Sequence, residues 1–397
     1  MTSVKVERLK RVKVGHEWAT IFKPHFEAEA AVELGAEGLV IRFGDVMDVG
    51  KEDRVWVGEK IYNVSAVDGS SLTCAYDHNE TALEELYRAG FCQFGVLEAV
   101  RKDDPTERFM DSWVGTYMVN IAEHYHEIRA GRDIKPLFGL AERNVPVACV
   151  GAGPSLDKNV HLLKDFPGII IAVDKAYKML LARGIEPDLV VSVDCHYDLI
   201  ADMLKAPGSE HHSLVLNTCA DPKILKVWKG KVYWYLMKHP GVQFTDKILP
   251  ALFPTFSAIP NVGCVGNTAI LLADHCGLSP IFLVGYDFGY TGGRMHAQRF
   301  GFGDDGKPFP IEDDHAKLFD ERSAKIEVDG VVTYVPYVGF AKTAVAIREK
   351  VGVDVTNCTG GGIINELPKR PFEDVVRELS QGSDGKFRDL REKIKSL

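Results

Sequence analysis

The sequence predicts an α/β protein: a Rossmann-like, mostly parallel sheet with helices on both faces, preceded by a small N-terminal α+β domain. From residue 145 onward, short and strongly apolar runs (VPVACV, GIIIAV, DLVVSV, SLVLN, IFLVGY) alternate with helical patterns. Strands apolar on both faces belong in parallel sheets covered on both sides. Polar residues close these runs in succession, at Asp174, Asp194, Asn217, Asp287 and Asn357. Before residue 105 the pattern changes to short β-type runs separated by turn residues.

Taken in order, residues 37–77 hold GLVIRF, RVWVG, KIYNVSAV and, past the turn signal Asp68-Gly69, SLTCAY, which together read as an antiparallel unit. Met1 to Trp18 alternates Lys, Arg and Glu with apolar residues. Residues 80–101 read as a helix, with Leu83, Leu86, Tyr87, Phe91 and Leu97 at helical spacing. Asp104-Pro105 breaks it, and Thr106 can cap a second helix through Trp113, Tyr117, Ile121 and Tyr125 to Ala130. Residues 131–144 read as a linker. VPVACV then leads through a Gly-rich turn into a helix over Val160, Leu162 and Leu163. GIIIAV is followed by a helix from Lys175 to Arg183, closed by Gly184. KVYWYLM precedes a Gly/Asn-rich loop and a helix over Thr268–Cys276, and VDVTN completes the sheet. The implied division is 1–105, a helix and linker at 106–144, the Rossmann-like domain at 145–370, and a charged C-terminal helix or tail at 371–397.

Composition limits the function. The 397 residues are 46% hydrophobic, too apolar for disorder, and a net charge of −9 argues against a general nucleic-acid binder. No stretch reaches the roughly 18–20 apolar residues of a membrane span, and Met1 to Trp18 lacks a signal-peptide core. The eight cysteines form no C-x-x-C pair. Reduced thiols in a cytoplasmic protein are the expectation. Neither Asp313-Asp314-His315 nor His124/His126 has metal-site spacing.

In an open parallel sheet, ligands bind beyond the carboxyl ends of the strands. The Asp and Asn residues that close the runs are therefore candidates for one shared site, although any single one could be a turn or cap residue. Asp188, which follows Pro187 at the opposite edge, reads as structural. The loop Gly151-Ala152-Gly153-Pro154-Ser155-Leu156-Asp157 suits a phosphate: glycines allow close approach, a helix start attracts negative charge, and Ser155 offers a hydroxyl. Leu156 stands where a dinucleotide fingerprint needs its third glycine, and no P-loop sequence is present. PNVGCVGNT at 260–268, containing Asn267, offers a second phosphate or sugar contact. The segment Gly285 to His296 carries Asp287, Tyr290, Arg294 and His296. His296 and His315 are both candidates for a general acid or base.

Three blocks carry a family resemblance: GAGPSLDKN; IAVDKAYKMLLARGIEPDLVVSVD; and VGNTAILLADHCGLSPIFLVGYDFGYTGGRMHA. They resemble the MptE-like family, which includes flagellin-modifying motility accessory factors (Maf proteins) and archaeal 6-hydroxymethylpterin diphosphokinases. The resemblance runs over residues 110–365. YMVNIAEHYHEI and NCTGGGII resemble the Maf branch, whose core is similar to bacterial sialyltransferases that use CMP-sialic acid. By that resemblance Gly151, Gly153, Pro154 and Ser155 would cradle a nucleotide phosphate. Asp174 and Asp194 would face ribose, base or donor sugar, and Asp287 and Tyr290 the transferred group. Asn357, Thr359, Gly360 and Gly361 would line the nucleotide side. Ala152 replaces the Asn common in the sialyltransferases.

The implied activity is a transferase that moves a nonulosonic sugar from a CMP-sugar donor to a hydroxyl acceptor, either a protein such as flagellin or a glycan. No tightly bound cofactor is expected, and a monophosphate leaving group needs no metal. A second reading is ATP-dependent pyrophosphoryl transfer to a pterin alcohol, with Asp174, Asp194 and Asp287 holding Mg²⁺. A third is a non-catalytic nucleotide- or sugar-binding protein.

Overall fold

A computed structural model describes residues 2–14, 17–35, 38–43, 54–57, 60–68, 70–76, 105–141, 143–195, 198–239, 242–312, 325–381 and 387–397. The chain divides into two compact units, residues 1–89 with 102–108 and residues 90–101 with 109–397.

The first unit is an antiparallel closed barrel. Its strands are β1 (Thr2–Val14), β2 (Glu17–Gly35), β3 (Gly38–Phe43), β4 (Arg54–Val57), β5 (Lys60–Asp68) and β6 (Ser71–Tyr76), in the order β1-β2-β3-β6-β5-β4. β4 pairs back onto β1, so no edge is left open. The last four strands are the runs expected from their turn signals. β1 and β2 add two strands beyond the expected runs, and charged and apolar residues alternate from Val4 onward with the period of a strand. The expected helix over 80–101 lies outside the described residues.

The second unit holds a nine-stranded sheet. Its strands are β7 (Arg132–Asp133), β8 (Val147–Val150), β9 (Ile169–Val173), β10 (Leu189–Ser192), β11 (Ser213–Asn217), β12 (Lys231–Lys238), β13 (Ala258–Pro260), β14 (Ile281–Val284) and β19 (Val355–Asn357). The order is β13-β12-β11-β10-β9-β8-β14-β19 with β7 beside β12, and every pairing is parallel. Between β14 and β19 the chain adds two antiparallel hairpins, β15 (Arg299–Phe302) with β16 (Pro308–Ile311) and β17 (Lys325–Val328) with β18 (Val331–Tyr334).

The principal helices are α1 (Pro105–Glu123), α2 (Asp174–Ala182), α3 (Val265–His275), α4 (Val335–Val351), α5 (Phe372–Ser380) and α6 (Arg388–Ser396). Wholly apolar strands let both faces of the sheet be buried. Val147, Cys149, Ile169 and Ile171 point into one core with Ala269 and Ile270 of α3. The alternate residues Ala148, Val150, Ile170 and Ala172 join a second core with Met179 and Leu180 of α2 and Phe372 of α5. Each Val, Ile, Leu, Met or Phe among them contributes about 1.5–3 kcal/mol by leaving water.

Several boundaries differ from expectation. The helix expected to run to Ala130 stops at Glu123 and resumes at Tyr125–Ala130. His124 at the break is buried, contacting the Thr218 carbonyl at 3.3 Å and the Trp234 ring at 5.4 Å. Residues 131–144, read as a linker, supply β7 and bury Ile134 and Leu137. The C-terminal helices are docked on the domain: Phe372 and Val375 are buried, and Arg391 lies 3.5 Å from Asp188. Asp188 itself accepts the Ile170 N–H at 2.8 Å, the structural role expected of it. Among the described residues, no helix is long and apolar enough to cross a membrane. Cys149, Cys195, Cys219, Cys264, Cys276 and Cys358 are free thiols.

Candidate functional site

After β8 the chain steps to β9 and onward to one side, whereas β14 and β19 lie on the other. The crevice between the tips of β8 and β14 is thus the topological switch point of the sheet. Here the glycine loop packs against the β14 tip. The Gly151 N–H donates to the Val284 carbonyl and the Gly153 N–H to the Gly285 carbonyl, both at 2.8 Å. A Cβ on Gly151 would stand 2.5 Å from the Gly285 oxygen, and one on Gly153 would overlap the Asp287 carboxylate. Close contact between two loops of the protein therefore requires these glycines.

Ser155 corrects an expectation. It is fully buried and turned to Asp287, its N–H 3.2 Å and its Oγ 2.7 Å from the carboxylate. Thr291 Oγ1 donates to the same carboxylate at 2.7 Å. The Ser155 donors that would have met a phosphate are thus engaged by an internal acid. Pro154 is buried as well, and the following helix, Leu156–Asn159, is a single turn. Burial pushes the Asp287 carboxyl above its ordinary range, and the Thr291 and Ser155 donors act against that.

Beside this junction lies a cavity of about 250 Å³. Gly151, Ala152 and Gly153 form one edge, with Asp174 and Lys175 at the tip of β9 and Asp194 just past β10. Gly263 to Gly266, the start of α3, form another. Asp174 is fully buried; it accepts the Lys175 N–H at 2.7 Å and the Ser192 hydroxyl at 2.8 Å. Burial first, and the nearby Asp194 charge second, push its carboxyl up to about 7. His296 also lines the cavity. Its segment is strapped to the glycine loop: the Ala297 N–H donates to the Ala152 carbonyl at 3.0 Å. Asp157 accepts the Gln298 N–H at 3.1 Å and pairs with Arg294 at 2.8 Å and Arg183 at 3.3 Å.

The remaining wall is aromatic. Phe288, Tyr337 and Phe340 line the cavity and pack together with ring centroids 5.8–6.2 Å apart. Phe288 holds a left-handed backbone (φ 46°), a conformation rare for a bulky residue. Sequence reading missed Tyr337 and Phe340. The signal was the spacing Tyr334, Tyr337, Phe340 at the head of α4, one aromatic every three residues on one helix face.

Other expected site residues lie elsewhere. Asn217 is fully buried and holds a turn, donating to the Val193 carbonyl at 2.7 Å and accepting the Cys219 N–H. Asn267 is likewise buried and donates to the Val262 and Phe340 carbonyls, both at 3.0 Å, tying α3's entry loop to α4. Tyr290 turns to the second hairpin, its hydroxyl 2.7 Å from that of Tyr334 and its ring under Lys325. Asn357, Thr359, Gly360 and Gly361 line a separate cavity of about 660 Å³. His315 lies outside the described residues. Among the described residues, no three His, Cys, Asp or Glu side chains are grouped to hold a metal ion; Asp174, Asp194 and Asp287 all line the switch-point cavity, and Asp287 also accepts from Ser155 and Thr291.

The fold and this cavity define a doubly wound α/β protein with a ligand-sized crevice at its switch point. Residues 119–293 match the MptE-like family, described as 6-hydroxymethylpterin diphosphokinase MptE-like. The match covers the first two signature blocks and the third as far as Gly293, and stops short of His296 and of NCTGGGII. No curated protein matches the chain. Among solved structures, this chain is similar to the MAf glycosyltransferase from Magnetospirillum magneticum AMB-1, at 20% identity and a TM-score of 0.45. That alignment covers 65% of this chain and 38% of the other, so the chain spans well under half the length of that protein.

Proposed function

We propose that the chain is a nucleotide-dependent transferase that moves a nonulosonic sugar from a CMP-activated donor to a hydroxyl acceptor. The observation that carries this reading is the convergence on one cavity of the β8, β9, β10 and β14 tips, the start of α3 and an aromatic wall. Phe288, Tyr337 and Phe340 offer flat faces to a base or sugar ring. Asp174 and Asp194 accept hydroxyl hydrogen bonds from ribose or sugar. In the transfer step the bond from the anomeric carbon to the phosphate oxygen breaks and CMP leaves with the electron pair. The start of α3 and Lys175 stabilise that departing charge in place of Ser155. The acceptor oxygen bonds to the anomeric carbon, and its proton passes to His296. Among the described residues, Lys175 is the only Lys or Arg that lines the cavity, which suits a monophosphate better than a triphosphate.

The family description favours a second reading, pyrophosphoryl transfer from ATP to a pterin alcohol. That chemistry calls for Mg²⁺, which one or two of Asp174, Asp194 and Asp287 on the cavity wall would hold together with the substrate phosphates. Calorimetry with CMP in EDTA, followed by turnover of a CMP-nonulosonate with a simple alcohol acceptor, separates the readings. Metal-independent CMP binding and sugar release are expected. ATP turnover with a pterin alcohol that EDTA abolishes would replace the glycosyl reading with the kinase one. Binding of nucleotide without turnover of either donor would leave a binding protein.

A further inference from the structure

The cavity beyond β19 is a second, separate site. It measures about 660 Å³, within the range of small-molecule pockets, and none of its lining residues lines the switch-point cavity. Its floor is the turn Thr359 to Gly362. Gly360 (φ 75°) and Gly362 (φ 78°) are left-handed, and Gly361 between them is not. Alternating handedness of this kind turns successive peptide N–H groups toward one side, forming an anion-binding concavity. Among the described residues, the N–H groups of Gly360, Gly361 and Gly362 donate to no protein group.

The turn is held in shape from both ends. Asn159 Nδ2 donates to the carbonyls of Cys358 (3.2 Å) and Thr359 (3.0 Å). Asn357 accepts the Thr359 N–H at 2.9 Å and donates to the Ile364 carbonyl at 2.9 Å. The charges around it run against the chain as a whole. Lys158, Lys369 and Arg370 line the cavity with His161, and Glu373 is the one acidic lining residue, in a protein of net charge −9. Arg370 is braced by Glu378 at 2.6 Å, and Lys369 by Asn365 at 2.5 Å.

We propose that this cavity binds the phosphate group of a phosphorylated small molecule, with the Gly360–Gly362 turn cradling the oxygens and Lys158 and Lys369 neutralising them. The site is independent of the transferase reading, because it needs no catalysis and shares no lining residue with that cavity.

The test is calorimetric titration of the full chain with inorganic phosphate, CMP and a sugar phosphate at fixed ionic strength, since surface charge effects are screened by salt. Lys158→Ala/Lys369→Ala should weaken phosphate binding at least tenfold, and Asn159→Ala several-fold. The control pair Lys226→Ala/Lys229→Ala, exposed elsewhere, should leave it within twofold. Tighter binding of CMP, or of the sugar phosphate, with the same dependence on Lys158 and Lys369 would support the site and name its source. Phosphate binding unchanged in the double variant, an equal loss in the control pair, or no binding of any of the three ligands would overturn it.

Discussion

Asp174 offers the sharpest quantitative test of the site's electrostatics. The perturbation is Asp174→Asn, which preserves shape and can keep both the Lys175 N–H and the Ser192 hydroxyl as partners. In the folded protein the Asp174 carboxyl titrates near 7, raised from 3.8 chiefly by burial. The unfolded chain therefore releases its proton first. The folded state binds more protons between about pH 4 and 7, so the stability Asp174 contributes is present at low pH and lost as pH rises through 7. At 1.36 kcal/mol for each tenfold change, the span from 3.8 to about 7 sets a ceiling of about 4 kcal/mol. Asp194 shares part of that, so about 2–4 kcal/mol is expected. At pH 8 the Asn variant should exceed wild type by that amount, raising the melting temperature by about 4–8 °C, whereas at pH 5 the gap should be less than half as large. Thermal unfolding of both proteins from pH 5 to 8.5 measures the difference, and other titrating groups cancel in the comparison. Asp194→Asn should shrink the wild-type slope. Parallel curves for wild type and Asp174→Asn would refute the claim that this acid is held neutral by its surroundings.

Three further outcomes follow from the same geometry. Gly153→Ala places a methyl group against Asp287 and 2.7 Å from the Gly285 carbonyl, so the three Ser155–Asp287 contacts must yield. A loss of about 2–4 kcal/mol in urea unfolding is expected, with nucleotide binding lost. His296→Gln should lower kcat of the transfer by about 10²–10⁴-fold with little change in CMP affinity, measured by product release; an unchanged rate removes it as the base. Asn217→Ala should destabilise the protein by about 1–3 kcal/mol through the orphaned Cys219 N–H, while calorimetry shows CMP affinity unaltered; a large affinity loss would return Asn217 to the site.

The parallel sheet was legible because its chemistry is local. A run such as IIIAV has no polar face, so it must be covered on both sides, and Ile169, Ile171 and Ile170, Ala172 do divide between two cores. The barrel was half legible. β3 to β6 are separated by turn residues, whereas β1 and β2 hide behind a high density of Lys, Arg and Glu that mimics a solvated surface segment. Period-2 alternation was the better guide there than charge density. Within the site, Asp174, Asp194 and the glycines were read from strand ends. Tyr337 and Phe340 come from a helix more than forty residues beyond the β14 tip, and no strand-end rule reaches them.

The division of the strand-end residues between two cavities has a definite cause. Strand ends reveal which edge of the sheet a residue occupies, but only the order of strands decides which ends share a crevice. β8 and β14 are neighbours though their residues lie over a hundred positions apart, and β19 is on the far side of β14. Asp287, at the tip of the strand between, then acts as a wall. Its carboxylate takes Ser155 and Thr291 toward the glycine loop, and its carbonyl accepts the Ile363 N–H at 2.9 Å from the other side. With that wall in place, Thr359 to Gly361 line the cavity beyond β19 and not the one at the β8 and β14 tips. The same residue types at the same sheet edge thus line two cavities, because a buried carboxylate needing several donors divides the row.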